Sequence, residues 1–388
     1  MSFLKKNDFK KILTLIFFYY ILYLISSNYM YSRYDPNLLA TGYDSGRYLQ
    51  LSNFFDAGIG KGLIGYKNIA WHLFFTYTIF ISILEKINLI NHYVEVQYLI
   101  YYLSSILFYK SLINLNFSKL TSFFSTLFVI FNPFFIFWIH VLNHAGLVMS
   151  LVMISLYFLS KYDHGKIFKI FFFIFIFFLL KLDGKVFFTV YMILFYKFYL
   201  IENKKSKLKI FLLISFFILY FFYLNIFAIG LSPFSDSYLQ TDLIKNNFNI
   251  IPIDNEVMKT YNKCLIVDYN SLRNHFCALI DNPLYLIKLY SARFFMLFTW
   301  INLKLSFKYN LFAFGMVLFL YFGVIINLLK TNFSSIKLFL ISSYLATILI
   351  VLPYILRGDQ KQVFYGLIFI IPLSFSGYEL LYKSIKKK

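Results

Sequence analysis

Asp44 and Arg47 stand one helical turn apart in Gly42-Tyr43-Asp44-Ser45-Gly46-Arg47-Tyr48-Leu49, so a carboxylate and a guanidinium share one side of the chain. A carboxylate there serves either as a helix N-cap or as a general base, and the guanidinium offers a fork to an anionic group. Tyr48, Leu51 and Phe55 recur at helical spacing and Gly58 is a suitable stop, so 45–55 is expected to form an amphipathic helix at a membrane interface. A second set of charges comes late, in Arg357-Gly358-Asp359-Gln360-Lys361, with Arg293 before it. Arg357 and Lys361 read either as side chains snorkelling to lipid headgroups or as ligands for a phosphate.

Other residues carry weaker signals. His140 and His144 are four apart and could share a metal on one helix face, although no carboxylate lies beside them; the alternative is a pair of interfacial histidines with ordinary hydrogen bonds. His72, in an apolar run, faces either a cavity or the headgroup layer. Gly58-Ile59-Gly60-Lys61-Gly62 lacks the spacing of a phosphate-cradling loop and the Ser or Thr that follows one, so it reads as a turn. Arg273 and His275 read as solvated loop residues, and Asp183 between Lys181 and Lys185 as a tight turn. Cys264 and Cys277 are the only cysteines. In an oxidising compartment a bridge between them would close a loop of about a dozen residues and contribute roughly 3 kcal/mol; otherwise they are two free thiols.

The elements that must position these groups are apolar. Of 388 residues 60% are hydrophobic and 14% charged, and the mean hydropathy of +0.69 excludes a water-soluble core of ordinary composition. Runs long enough to cross a bilayer fall near 11–28, 95–110, 120–138, 145–160, 168–181, 186–200, 209–230, 310–329, 337–354 and 363–381. The expected fold is therefore an all-α polytopic membrane protein of about ten transmembrane helices. Residues 70–84 and 284–303 are ambiguous, the latter interrupted by Lys288 and Arg293.

Lysines decide that ambiguity, because positive loops stay cytoplasmic and each crossing flips every loop after it. If neither stretch crosses, Lys110 and Lys119, Lys161 and Lys166, the run from Lys204 to Lys209 and the tail from Lys383 to Lys388 all face inward. Both stretches are then re-entrant or interfacial helices on the outer face. The first helix, preceded by Lys5, Lys6, Lys10 and Lys11, reads as uncleaved, with both termini cytoplasmic. The net charge of +20 follows from this topology and implies no nucleic acid. Outer loops 29–94, 232–309 and 355–362 carry most of the 17 Asp and Glu, and 1–388 reads as a single integral-membrane domain. The helix interiors hold almost no ionisable residue, which argues against an ion-coupled pump.

An acidic residue soon after the first span, followed by an interfacial helix, resembles the GT-C superfamily of integral-membrane glycosyltransferases, which includes protein O-mannosyltransferases and lipid A aminoarabinose transferases. The late loop from Arg357 to Lys361 leading into a final helix, and the stretch from Arg293 to Asn310, resemble segments of the same family. Asn132-Pro133 closing a helix before Trp138, His140, Asn143 and His144 is similar to the family's second acidic-loop region, with Asn143-His144 in place of the Asp or Glu found there. The resemblance implies that Asp44 acts on the acceptor or helps hold a divalent metal, and that the donor is a polyprenyl-phosphate sugar. The acceptor would be an extracytoplasmic glycan, lipid or protein. Arg47, Arg293, Arg357 and Lys361 are then the phosphate-binding candidates, with His72, Asn143, His144 and Asp359 secondary. An O-antigen polymerase or ligase using Arg273 and His275 is the alternative enzyme. A flippase or other transporter of lipid-linked oligosaccharide is the alternative outside catalysis.

Overall fold

In lipid, a run of Leu, Ile, Phe and Tyr satisfies its backbone N–H and C=O groups only by closing on itself as a helix or by joining a closed barrel. Every regular element among the described residues of the computed structural model is helical. The structure describes residues 6–32, 75–180, 193, 263, 277, 279–300, 306–351 and 364–386. The expected interfacial helix over 45–55 and the expected spans at 186–200, apart from residue 193, and 209–230 lie outside the described residues. The chain divides into two compact units, Met1–Asp183 and Gly184–Lys388.

The first unit contains α1 (Lys6–Tyr31), α2 (Phe75–Lys86), α3 (Tyr93–Asn114), α4 (Lys119–Phe131), α5 (Pro133–His140), α6 (His144–Ser160) and α7 (Lys166–Leu180). Helix α3 lies at its centre, packed on α6 and α4. Small hydroxyl residues line these faces: Ser104, Ser105, Ser111, Ser122 and Ser150 are buried, and each donates to a carbonyl of its own helical segment. A hydroxyl satisfied within its own segment lets neighbouring backbones approach closely without leaving a polar group bare in an apolar interior.

Residues 120–138, expected as one span, are instead two helices bent by 48° at Asn132. The cause is local. Pro133 has no N–H to give the Val129 carbonyl four residues back. The Tyr101 hydroxyl donates to that oxygen at 2.6 Å instead, while Asn132 Oδ1 accepts from Phe134 N–H at 3.0 Å and so caps α5. The start of α4 is capped likewise, by Ser118 Oγ accepting from Thr121 N–H at 3.0 Å.

The second unit contains α8 (Pro283–Thr299), α9 (Phe307–Lys330), α10 (Ser335–Val351) and α11 (Phe364–Lys386). Helices α9 and α11 touch backbone to backbone at Gly323 and Gly377. A Cβ added at Gly377 would stand 2.8 Å from the Gly323 carbonyl carbon and 3.0 Å from Asn327 N, and one at Gly323 would stand 2.5 Å from the Ser374 carbonyl oxygen. Trp300 ends α8 at φ 61°, a left-handed conformation unusual for a bulky residue. Its fully buried indole meets the Phe364 ring at 4.9 Å, the two planes tilted by 40°. The Tyr321 hydroxyl donates to the Phe298 carbonyl at 2.7 Å and is also bonded to the Tyr344 hydroxyl, which ties α9 to α8 and α10.

By length and composition, α9 and α11 are apolar enough to cross a membrane, and the bent α4–α5 pair gives a third span if counted as one. Helices α6 and α10 are shorter but also apolar. The two ambiguous stretches form the 12-residue α2 and the 17-residue α8.

Candidate functional site

Six helix ends meet at one end of the first unit: the ends of α1, α5 and α7 and the starts of α2, α3 and α6. The last carbonyls of a helix have no partner inside it and need donors from elsewhere. Here α3 supplies them. Gln97 Nε2 donates to the Ile139 carbonyl at 2.8 Å and to the Val141 carbonyl at 3.2 Å, and the Tyr93 hydroxyl donates to the His140 carbonyl at 2.9 Å. On its other side Gln97 Oε1 accepts from the Tyr77 hydroxyl of α2 at 3.2 Å. The chain then turns between Val141 and Asn143, whose N–H donates back to the Val141 carbonyl at 2.7 Å. Asn143 Oδ1 accepts from Ala145 N–H at 3.0 Å and starts α6. Gly146 permits this close return, since a Cβ there would lie 3.1 Å from the Trp138 carbonyl oxygen.

His140 is fully buried. Its Nδ1 lies 2.9 Å from the Ile136 carbonyl oxygen, which can only accept, so Nδ1 carries the proton. Nε2 then accepts from the Ser27 hydroxyl of α1 at 3.3 Å. The rings of Tyr31 and Tyr98 stand edge-on to the imidazole at 6.0 and 6.1 Å. His144 meets Tyr77 edge-on at 6.4 Å. The expectation that His140 and His144 lie on one helix face is overturned: the extended turn from Val141 to Asn143 puts His140 at the end of one helix and His144 at the start of the next. Both His140 ring nitrogens have protein partners. Among the described residues no group of three or more His, Cys, Asp or Glu is placed to hold a metal ion.

The opposite end of the same unit has a different chemistry. Asn114 Nδ2 donates to Ser160 Oγ at 3.1 Å, joining the end of α3 to the end of α6. Around this junction lie Lys110, Lys119, Lys161, Lys166 and Lys169, with Lys169 set over the Tyr162 ring at 5.1 Å. One end of the bundle is thus basic, and the other is built from His, Tyr, Gln, Asn and Ser, with the carboxylate of Glu95 in the first turn of α3.

Of the residues singled out from the sequence, Asn143 and His144 stand side by side in the non-basic end, with the Asn143 oxygen engaged as a cap. Arg293 falls on α8 of the second unit. Asp44, Arg47, His72, Arg357, Asp359, Lys361, Arg273, His275 and Cys264 lie outside the described residues. Cys277 is disulfide-bonded. Sequence reasoning missed Gln97, Tyr93, Tyr77 and Ser27, which build the turn. Gln97 offered a signal, a carboxamide two residues after Glu95 at the head of a largely apolar run.

Comparison with protein-family models, with curated proteins and with solved structures returns no match to this chain.

Proposed function

We propose that the chain is a multi-pass membrane glycosyltransferase of the GT-C kind, with about ten spans, both termini cytoplasmic and its site on the extracytoplasmic face. It would transfer a sugar from a polyprenyl-phosphate donor to a glycan, lipid or protein acceptor. The observation that carries this reading is the segregation of the two ends of the first unit. Lysines gather at one end, which the positive-inside rule assigns to the cytoplasm. The segment bearing Asp44, Arg47 and His72 leaves α1 after Ser32 and rejoins the structure at Phe75, and both stems stand at the other end. Ser27 and Tyr31 contact His140 there, and Tyr77 contacts Gln97 and His144.

In the proposed reaction Asp44 takes the proton of the acceptor hydroxyl as its oxygen bonds to the anomeric carbon. The bond from that carbon to the phosphate oxygen breaks, and the phosphate leaves with the electron pair. Arg357 and Lys361, with Arg293 and Arg47, stabilise the departing charge. The hydroxyl bonding within the first unit favours this over transport. Most buried serines along α3, α4 and α6 are satisfied within their own helical segments, which leaves little for a polar solute to bind.

Membranes containing the full chain, given a radiolabelled polyprenyl-phosphate sugar, test the proposal. Asp44→Asn is expected to lower transfer by about 10²–10⁴-fold, the range of a lost general base, while Arg273→Ala leaves it unchanged. The reverse pattern favours the polymerase or ligase. Lipid-linked oligosaccharide flipping in proteoliposomes that persists in Asp44→Asn favours the transporter.

A further inference from the structure

At the end of the second unit where α9 stops, α10 begins and α11 runs out, the described residues include four lysines, Lys330, Lys337, Lys383 and Lys386, and one carboxylate, Glu379. Contacts link three of them across the helix ends. Lys330 Nζ donates to Ser384 Oγ at 2.8 Å, next to Lys383, and Lys337 Nζ donates to the Thr331 hydroxyl and, at 2.6 Å, to the Asn332 carbonyl, next to Lys330. An ammonium has three N–H groups. Among the described residues Lys330 therefore has two left over, and Lys337 has one. Lys383 pairs with Glu379 one turn back on α11.

The same rim exposes apolar side chains. Leu329 is 81% exposed, Phe333 63%, Tyr382 61% and Ile385 65%. Cations held in place beside aliphatic and aromatic groups match a surface that offers anionic oxygens above hydrocarbon. An acidic protein segment would meet the charges and leave the apolar rim in water.

We propose that this end of α9, α10 and α11 binds the phosphate of an anionic phospholipid headgroup, with Lys330, Lys337 and Lys383 as its donors and Phe333 and Tyr382 against the acyl chains. The site is separate from the proposed sugar transfer and does not depend on it.

Native mass spectrometry of the purified full chain, released from nanodiscs containing equal amounts of phosphatidylglycerol and phosphatidylcholine, tests it. The wild type is expected to retain phosphatidylglycerol preferentially. Lys330→Gln/Lys337→Gln should weaken that retention about 25-fold, at roughly fivefold per cation removed, and Lys330→Arg/Lys337→Arg should restore it. Lys288→Gln/Lys308→Gln, in α8 and at the opposite end of α9, should leave it unchanged. Equal retention of the two lipids by the wild type overturns the proposal whether or not any variant folds. So does equal loss in the two glutamine variants, which would mean general charge attraction, or displacement of the lipid by millimolar inorganic phosphate, which would mean a site for the free anion.

Discussion

Gln97→Leu removes the side chain that holds the turn between α5 and α6, and its cost can be worked from the contacts. Leucine is close in size, so the change leaves no large cavity and isolates the polar terms. The Ile139 carbonyl loses the donor at 2.8 Å; a buried acceptor left bare costs about 1–3 kcal/mol. The Val141 carbonyl loses a longer bond at 3.2 Å but keeps the Asn143 N–H at 2.7 Å, so its loss is small. The Tyr77 hydroxyl loses its acceptor at 3.2 Å, worth about 0.6 kcal/mol by the average for hydrogen bonds within membrane proteins. The sum is about 1.5–3.5 kcal/mol. The assay is reversible unfolding of the purified chain in mixed micelles, followed by helical ellipticity. Leu103→Val serves as control on the exposed face of the same helix. A destabilisation by Gln97→Leu of less than about 0.5 kcal/mol, the ordinary scatter of surface substitutions, would refute the claim that this carboxamide holds the turn. Additivity with Tyr93→Phe would refute the narrower claim that the two side chains act on one element, since residues bonded to adjacent carbonyls should couple.

Three further outcomes follow from the packing. Gly377→Ala places a methyl against backbone atoms that cannot rotate away, so it should destabilise by about 1–3 kcal/mol or more. Gly315→Ala on α9, with nothing within 4 Å, should be neutral or stabilising in the same unfolding assay. Tyr101→Phe strips the shorter of two bonds from the Val129 carbonyl, which keeps only the Asn132 N–H at 3.3 Å, and should cost about 1 kcal/mol, whereas Tyr157→Phe on α6 should cost little. Asn132→Ala removes the cap of α5 and should cost about 1 kcal/mol, with Asn132→Ser recovering most of it.

Sequence composition made the positions of most described helices legible, because a long apolar run marks a helix before any tertiary contact is known. The run at 95–110 is the middle of α3, which continues to Tyr93 and Asn114 because helix ends tolerate the polar residues that a hydropathy window rejects. The bend at Asn132 was half legible. Asn-Pro announces a helix end, yet the residues from Pro133 to His140 are so apolar that the whole stretch reads as one span. The turn after His140 was not legible, since Val141-Leu142-Asn143 contains neither Gly nor Pro, and what holds it is a glutamine more than forty residues earlier. The meeting of Gly323 with Gly377 depends on the register of two helices, and no local pattern states a register. At the site, residue types marked Asp44, Arg357 and Lys361 as candidates, all outside the described residues, whereas the structure contributes the scaffold around His140 at the ends of α1 and α2 that flank the Asp44 segment in sequence.

The occupied carbonyl at the α4–α5 bend has a mechanical meaning. Proline bends are often treated as joints, because the missing hydrogen bond leaves the backbone free to flex. At Val129 the missing partner is replaced by the Tyr101 hydroxyl at 2.6 Å, from a side chain that is itself buried in the middle of α3. Opening or closing the angle from 48° would have to stretch that bond and pull on the central helix. The bend is a fixed elbow: a proline that elsewhere would loosen the backbone here locks α4 and α5 to the central helix.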